Sequence, residues 1–217
     1  DGTLRQASKI LSLFEEAPSD QIQALLESGL LADLRDGNVA GVKRDDFQKL
    51  LGLKSLNPPL LEPVGTVAIA ATKLFVAREK FAVYTGRNAG VKIAWLGDNF
   101  KEWFLDKTEA PAPKTSLRYS RLTRAELDGP IMVELGEAKE TALAQIFALL
   151  ERQNNGEPGA LLTNNYANIF YVRDANGVLR AVGVCWGAHD RGWGVNAYLV
   201  SNPYGWIDGY RVFSRNS

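Results

Sequence analysis

The stretch VGVCWGAHDRGWGVNAYLV, residues 182–200, restricts the fold of this chain more tightly than any other segment. Its alternate positions Val182, Val184 and Trp186, then Trp193, Val195 and Ala197, make one apolar set. Period-two alternation in two runs around a short Gly- and Asp-bearing segment predicts two strands joined by a turn. Successive side chains of a strand leave on opposite faces. The apolar set is expected in a core. The intervening set is Gly183, Cys185 and Gly187, then Gly194, Asn196 and Tyr198. A strand face turned to water ordinarily carries Lys, Glu, Thr or Gln. This one carries an unrelated mixture of glycine, thiol, amide and phenol.

Composition bounds the answer. The 217 residues leave room for one large domain, or a small one and a medium one. With 46% hydrophobic and 23% charged residues the chain has an ordinary soluble globular make-up. Lys+Arg and Asp+Glu both number 25, a formal neutrality that argues against a general nucleic-acid binder. No apolar run reaches the length of a membrane span. The opening DGTLRQASKILSLFEEAPSD lacks a secretory apolar region, and a processed terminus stays open because the chain does not begin with Met. Cys185 is the single cysteine, so no internal disulfide and no Cys-pair metal site is expected. His189 is the single histidine, which leaves little material for a zinc cluster or a His-based relay. No cofactor and no metal are expected.

The first sixty residues read as helical. TLRQASKILSLFEEA places Leu4, Ile10, Leu11 and Phe14 at helical spacing. PSDQIQALLESGLLADLRDGN predicts one helix, capped by Ser19 or Asp20 and ending at Gly37-Asn38, with Ile22, Leu25, Leu26, Leu30, Leu31 and Leu34 on its apolar face. KRDDFQKLLGL is a third short helix. Such a trio suits either a packing module or a helix-turn-helix with Arg35, Lys43, Arg44 and Lys49 as its basic face. Neither later helix is especially basic, which favours the packing module. Lys54 to Gly65, with three prolines, reads as a linker. Beyond it, TVAIAAT and VKIAWLG predict strands, and DNFKEWFLDK a helix capped by Asp98. TSLRYSRL, PIMVEL and GALLTN are expected to be extended, EAKETALAQIFALLERQ helical, and NIFYVRD, VLRAVGVCWG, GWGVNAYLV and GYRVFSR strands, with a hairpin turn at Asp174–Gly177. The expected class is α+β: a helical domain over 1–57, then a domain over 63–217 with antiparallel strands.

A compositional break falls inside that second domain. Every Lys, Glu, Gln and Met of the chain lies before Pro158. Trp186, Trp193 and Trp206 lie after it, with Tyr166, Tyr171, Tyr198, Tyr204 and Tyr210. A β-rich segment favours aromatic residues, but outward-facing Gly, Cys and Gly need another reason. The frame V-x-V-x-W … W-x-V-x-A … V-x-N-P-x-x-W-x-D-G-x-x-VFSRNS, residues 182–217, resembles the variable region of target proteins of diversity-generating retroelements. In that family an error-prone reverse transcriptase misreads template adenines, and Asn codons become any of a restricted set of residues that lacks Lys, Glu, Gln, Met and Trp.

The resemblance implies a C-type-lectin-like variable domain and a non-enzymatic binding protein. Its ligand is expected to be macromolecular, a protein foremost. The diversified positions it implies are Gly183, Cys185, Gly187, Ala188, His189, Asp190, Gly194, Asn196, Tyr198, Tyr204, Gly205, Ile207, Tyr210 and Arg211. One departure is that Trp206-Ile207-Asp208 has an apolar centre where sugar-binding lectins carry W-N-D. No Glu-Pro-Asn motif occurs either, so a calcium–carbohydrate site is not expected.

Taken one by one, the residues allow other readings. Trp186, Trp193 and Trp206 occupy fixed apolar positions and are expected in the core. Tyr198, Tyr204 and Tyr210 offer large rigid contact area at low entropy cost and suit a binding patch with His189 and Asn196. An enzyme of a formylglycine-generating-like fold is the alternative, with Cys185 or His189 catalytic. That chemistry uses paired cysteines, and this chain has one.

Overall fold

The computed structural model describes residues 2–12, 14–37, 44–52 and 59–216. The chain divides into two compact units, Asp1–Pro58 and Pro59–Ser217. No helix among the described residues is long and apolar enough to cross a membrane.

The first unit holds α1 (Gly2–Ser12), α2 (Ser19–Glu27), α3 (Leu30–Asp36) and α4 (Arg44–Leu50). The single helix expected over 18–38 is two helices. Gly29, at φ 74°, takes the left-handed conformation that ends one and starts the other. Neither Ser19 nor Asp20 caps α2, whose flanking residue is Pro18. No residue of α2 or α3 is buried, and Leu4, Leu11, Leu26 and Leu50 stand well exposed. Segments this short have little apolar stripe to bury within one small unit. Of the basic face considered above, Arg35 is paired with Asp36 at 2.6 Å. Lys43, like Asn38, lies outside the described residues.

The second unit is α+β, as expected, around one large sheet. In chain order it comprises β1 (Leu61–Ile69), β2 (Phe75–Val76), α5 (Ala77–Lys80), β3 (Ile93–Leu96), α6 (Asp98–Phe104), β4 (Thr108–Glu109), β5 (Thr115–Leu122), α7 (Asp128–Leu135), β6 (Glu140–Thr141), α8 (Leu143–Arg152), β7 (Asn168–Arg173), β8 (Leu179–Gly187), β9 (Gly192–Leu199) and β10 (Arg211–Arg215). The main sheet runs β1-β5-β10-β7-β8-β9-β3, with β6 beside β7, while β2 and β4 pair apart from it. It is mixed rather than antiparallel: β10 runs parallel to β7, β3 to β9 and β6 to β7. These parallel pairs join strands distant in sequence, which local turn signals do not report.

Two layers cover the sheet. On one face α6 contributes Phe100 and Phe104, and α8 contributes Leu143, Ile146, Phe147, Leu149 and Leu150. Glu109 caps α8, its two carboxylate oxygens accepting the Leu143 and Ala144 N–H groups at 3.0 and 2.9 Å. All six members of the apolar set, Val182, Val184, Trp186, Trp193, Val195 and Ala197, are buried in this layer. Each large one contributes about 1.5–3 kcal/mol by leaving water. On the other face a smaller core gathers Leu60, Leu61, Leu122, Ile131, Leu135, Ile169, Tyr171, Ala181 and Val212.

Several local expectations differ from the structure. PIMVEL is not extended but belongs to α7, where Pro130 sits in the first turn and Ile131 and Leu135 face the second core. Tertiary burial overrides the β preference of Ile and Val here. GALLTN is a loop. It is pinned by the buried Asn168, whose Nδ2 donates to Leu162 and Val184 carbonyls and whose Oδ1 accepts the Leu162 N–H. The expected linker runs into β1, an edge strand that tolerates Pro63 beside a register shift. Asp98 opens α6 without capping it and pairs with Lys101 at 2.9 Å.

Candidate functional site

The irregular face of the β8–β9 hairpin is the floor of a cavity of about 320 Å³. Antiparallel register sets Gly183 opposite Asn196 and Cys185 opposite Gly194, and parallel register brings Trp95 of β3 beside Gly194. Two glycines on one floor leave the space a pair of side chains would fill. The Asn196 carboxamide lies over Gly97, at which an added Cβ would collide with it. The Asn196 Oδ1 accepts the Ala197 N–H at 2.9 Å.

A strap over residues 200–210 closes one side. Trp206 exchanges both backbone hydrogen bonds with Glu126, and Gly209 donates its N–H to Leu122. Asn202 folds the strap's first half, its Oδ1 accepting the Tyr204 N–H at 3.1 Å. The rings form a continuous belt: Tyr198 meets Trp206 edge-on at 5.3 Å between centroids, Trp206 meets Tyr210 at 6.1 Å, and Tyr210 meets Tyr166 at 5.5 Å. Tyr204, 83% exposed, stands at the rim.

The wall behind the belt contains a carboxylate. Asp128, the first residue of α7, is 2% exposed. Its Oδ1 accepts the Tyr171 hydroxyl and the Trp206 Nε1–H, each at 2.7 Å. Burial pushes the Asp128 carboxyl above the usual carboxylate range, and the bonds from Trp206 and Tyr171 hold it back. Tyr171 is driven upward by burial and by the adjoining Asp128 charge, so it remains a donor. Burial also raises the Cys185 thiol. Tyr210 is raised by burial first, then by the neighbouring Cys185, Tyr198 and Tyr166.

Eight of the fourteen positions singled out from the sequence line this cavity: Gly183, Cys185, Gly194, Asn196, Tyr198, Tyr204, Gly205 and Tyr210. Six do not. Gly187, Ala188, His189 and Asp190 belong to the hairpin's end, and Asp190 lines a separate depression with Tyr84 and Thr85. Ile207 lies outward on the strap, 48% exposed. Arg211 departs furthest. It alternates with Val212 of the second core, so it leans to the opposite face. There its Nη1 donates to the Ala160 and Gly159 carbonyls at 2.6 and 3.2 Å, and its guanidinium lies over the Tyr119 ring. Trp206, expected in the core, is a half-buried wall of the cavity instead.

Sequence reasoning missed Trp95, Asp128, Asn165, Ala167 and Asn202, which also line the cavity. Trp95 is 52% exposed on a sheet strand, an exposure that only the structure shows. Asp128 lies 77 residues before Gly205 in the chain, and no local pattern pointed to it.

The glycines differ in the room around them. A Cβ on Gly194 or Gly187 meets only ordinary or slightly tight contacts. On Gly183 it would lie 3.3 Å from the Trp206 ring, which must shift slightly. On Gly205 it would fall 2.8 Å from the Glu126 carbonyl oxygen, a backbone atom held by the Trp206 bridge. Gly205 is therefore required by the strap itself.

Cys185 has a thiol pushed away from the thiolate, and His189, exposed in the hairpin turn, does not line the cavity with it. Among the described residues no three His, Cys, Asp or Glu side chains cluster as metal ligands would. No family model, curated protein or solved structure matches the chain.

Proposed function

We propose that this protein is a non-enzymatic binding protein. Its ligand surface is the irregular face of the β8–β9 hairpin with the strap above it. It is diversified in the manner of the variable proteins of diversity-generating retroelements. The observation that carries this reading is the convergence of five irregular-face residues and three strap residues on one cavity, while all six alternate residues of the two strands are buried on their other side. In a strand this separation lets side chains change on one face without disturbing the core on the other. The Tyr-rich wall supplies rigid contact area, as in antibody paratopes. The cavity is of a size to receive one protruding side chain of a macromolecular ligand, a protein foremost.

We infer a C-type-lectin-like arrangement for the second unit. It is supported by α6 and α8 packed on one sheet face, and by β1 and β10 both pairing with β5, which sets the first and last strands one strand apart. At the W-N-D-like position Asp208 is engaged by Arg121 at 2.7 Å, in keeping with recognition that needs no calcium.

Sequencing the coding locus across a cell population tests the reading. Substitutions are expected at Cys185, Gly194, Asn196, Tyr198, Tyr204 and Tyr210, traceable to adenines of a template copy. Val182, Val184, Trp186, Trp193, Val195, Ala197, and by the geometry above Gly205, are expected to stay constant. Uniformity at the first group, or equal variation in both, would overturn the reading.

A further inference from the structure

The cavity carries more chemical information than its shape. Five aromatic residues line it: Trp95, Tyr198, Tyr204, Trp206 and Tyr210. Aromatic faces are electron-rich and attract cations, most strongly where water is displaced. No Lys, Arg or His is among the lining residues. The wall also holds the buried carboxylate of Asp128, whose Oδ1 is engaged by two neutral donors, Tyr171 and Trp206. Those bonds satisfy an oxygen but supply no countercharge. Among the described residues no ion pair within 4.0 Å includes Asp128, although Arg121, Arg173 and Arg180 of the same unit are paired elsewhere. A buried carboxylate without a cation is costly, and a cationic ligand entering the cavity would relieve that cost. An anionic ligand would meet repulsion from both the carboxylate and the ring faces.

We propose that this cavity receives an organic cation, a guanidinium or alkylammonium group, held between the aromatic wall and Asp128. The proposal rests on the binding reading above and names the chemistry its ligand presents. At about 320 Å³ the space suits a single arginine or lysine side chain, or a free quaternary ammonium.

The experiment titrates the full chain with two matched pairs, followed by the indole N–H signals of Trp95 and Trp206. N-acetylarginine amide is compared with its neutral isostere N-acetylcitrulline amide, and choline with 3,3-dimethylbutan-1-ol. Each cation is expected to bind at least about tenfold more tightly than its isostere. Tighter binding of the arginine derivative assigns the source to a protein side chain, and tighter binding of choline to a free quaternary ammonium. Asp128→Asn keeps an oxygen to accept from Tyr171 and Trp206 while removing the charge, and is expected to weaken the cation about tenfold. Trp95→Ala, at a half-exposed position whose loss leaves the core intact, is expected to weaken it about threefold. Equal affinity within each pair, or cation affinity unchanged in both variants, would overturn the proposal. Population sequencing does not depend on ligand charge, so failure here with variation at the floor positions removes the cation and leaves the binding reading standing.

Discussion

The two faces of the β8–β9 hairpin share one backbone and obey different rules. One face, Val182, Val184, Trp186, Trp193, Val195 and Ala197, is buried against α6 and α8, and its residues are what a close-packed core requires. The other, Gly183, Cys185, Gly194, Asn196 and Tyr198, floors a cavity, and its residues are dictated by no single packing demand. The comparison teaches that freedom on a strand is set by what covers it. Where the strap touches backbone, as at Gly205, even the outer region becomes strict.

The sharpest way to break this contrast is to truncate one side chain on each face. Trp193 is fully buried, and its Nε1 donates to the Gln153 carbonyl at 3.1 Å. Trp193→Ala is expected to destabilise by about 3–5 kcal/mol in denaturant unfolding, whereas the outer Asn196→Ala is expected to cost less than about 1 kcal/mol. Comparable losses would mean that the outer face is a second core rather than a surface.

A smaller effect separates the glycines. Gly205→Ala drives a Cβ toward the Glu126 carbonyl and is expected to cost about 1–3 kcal/mol. Gly194→Ala meets Cys185 Sγ and Trp95 at 3.5 and 3.6 Å and is expected to stay within about 0.5 kcal/mol of the parent. Thermal unfolding of both variants measures the difference. Equal tolerance would return Gly205 to the positions proposed to vary.

The smallest effect is electrostatic. Because the folded pKa of Asp128 is raised above its ordinary 3.8, the folded state holds the proton more tightly than the unfolded chain. The stability it contributes is complete below that value and is lost as pH rises through the folded pKa. Asp128→Asn should therefore match the parent in acid and be the more stable of the two at neutral pH. A stability difference that does not change with pH would show that Asp128 is not carrying an uncompensated charge.

Much of the second unit was legible because its signals are local. Alternation marked β8 and β9, short runs rich in β-branched and aromatic residues marked β7 and β10, the Asp174–Gly177 turn marked the hairpin between β7 and β8, and a helical stripe marked α8. In the Asp174 turn the physical reason is visible: Oδ1 accepts the Asn176 and Val178 N–H groups, and Gly177 takes φ 80°. The failures are where tertiary contact outvoted local preference. PIMVEL became α7 because its apolar residues meet the second core, and GALLTN became a loop because Asn168 ties it down. Two helices replaced one in the first unit because Gly29 could leave helical φ at no steric cost.

The sequence by itself determined which side of β8 and β9 packs against the larger core and which does not, since a period of two is written residue by residue. It also determined that the chain holds a single thiol, Cys185, and a single imidazole, His189. Only the tertiary structure decided that the free side is a cavity rather than a flat face. Trp95 and Asp128, roughly 60 to 100 residues before the hairpin's floor, complete it through parallel pairing and a helix start that no local pattern reveals. The same long-range order set Arg211 on the opposite face and made Gly205 indispensable. Which atoms meet across a sheet depends on strand register and on the path of the strap, and both are settled by burial of the whole chain at once.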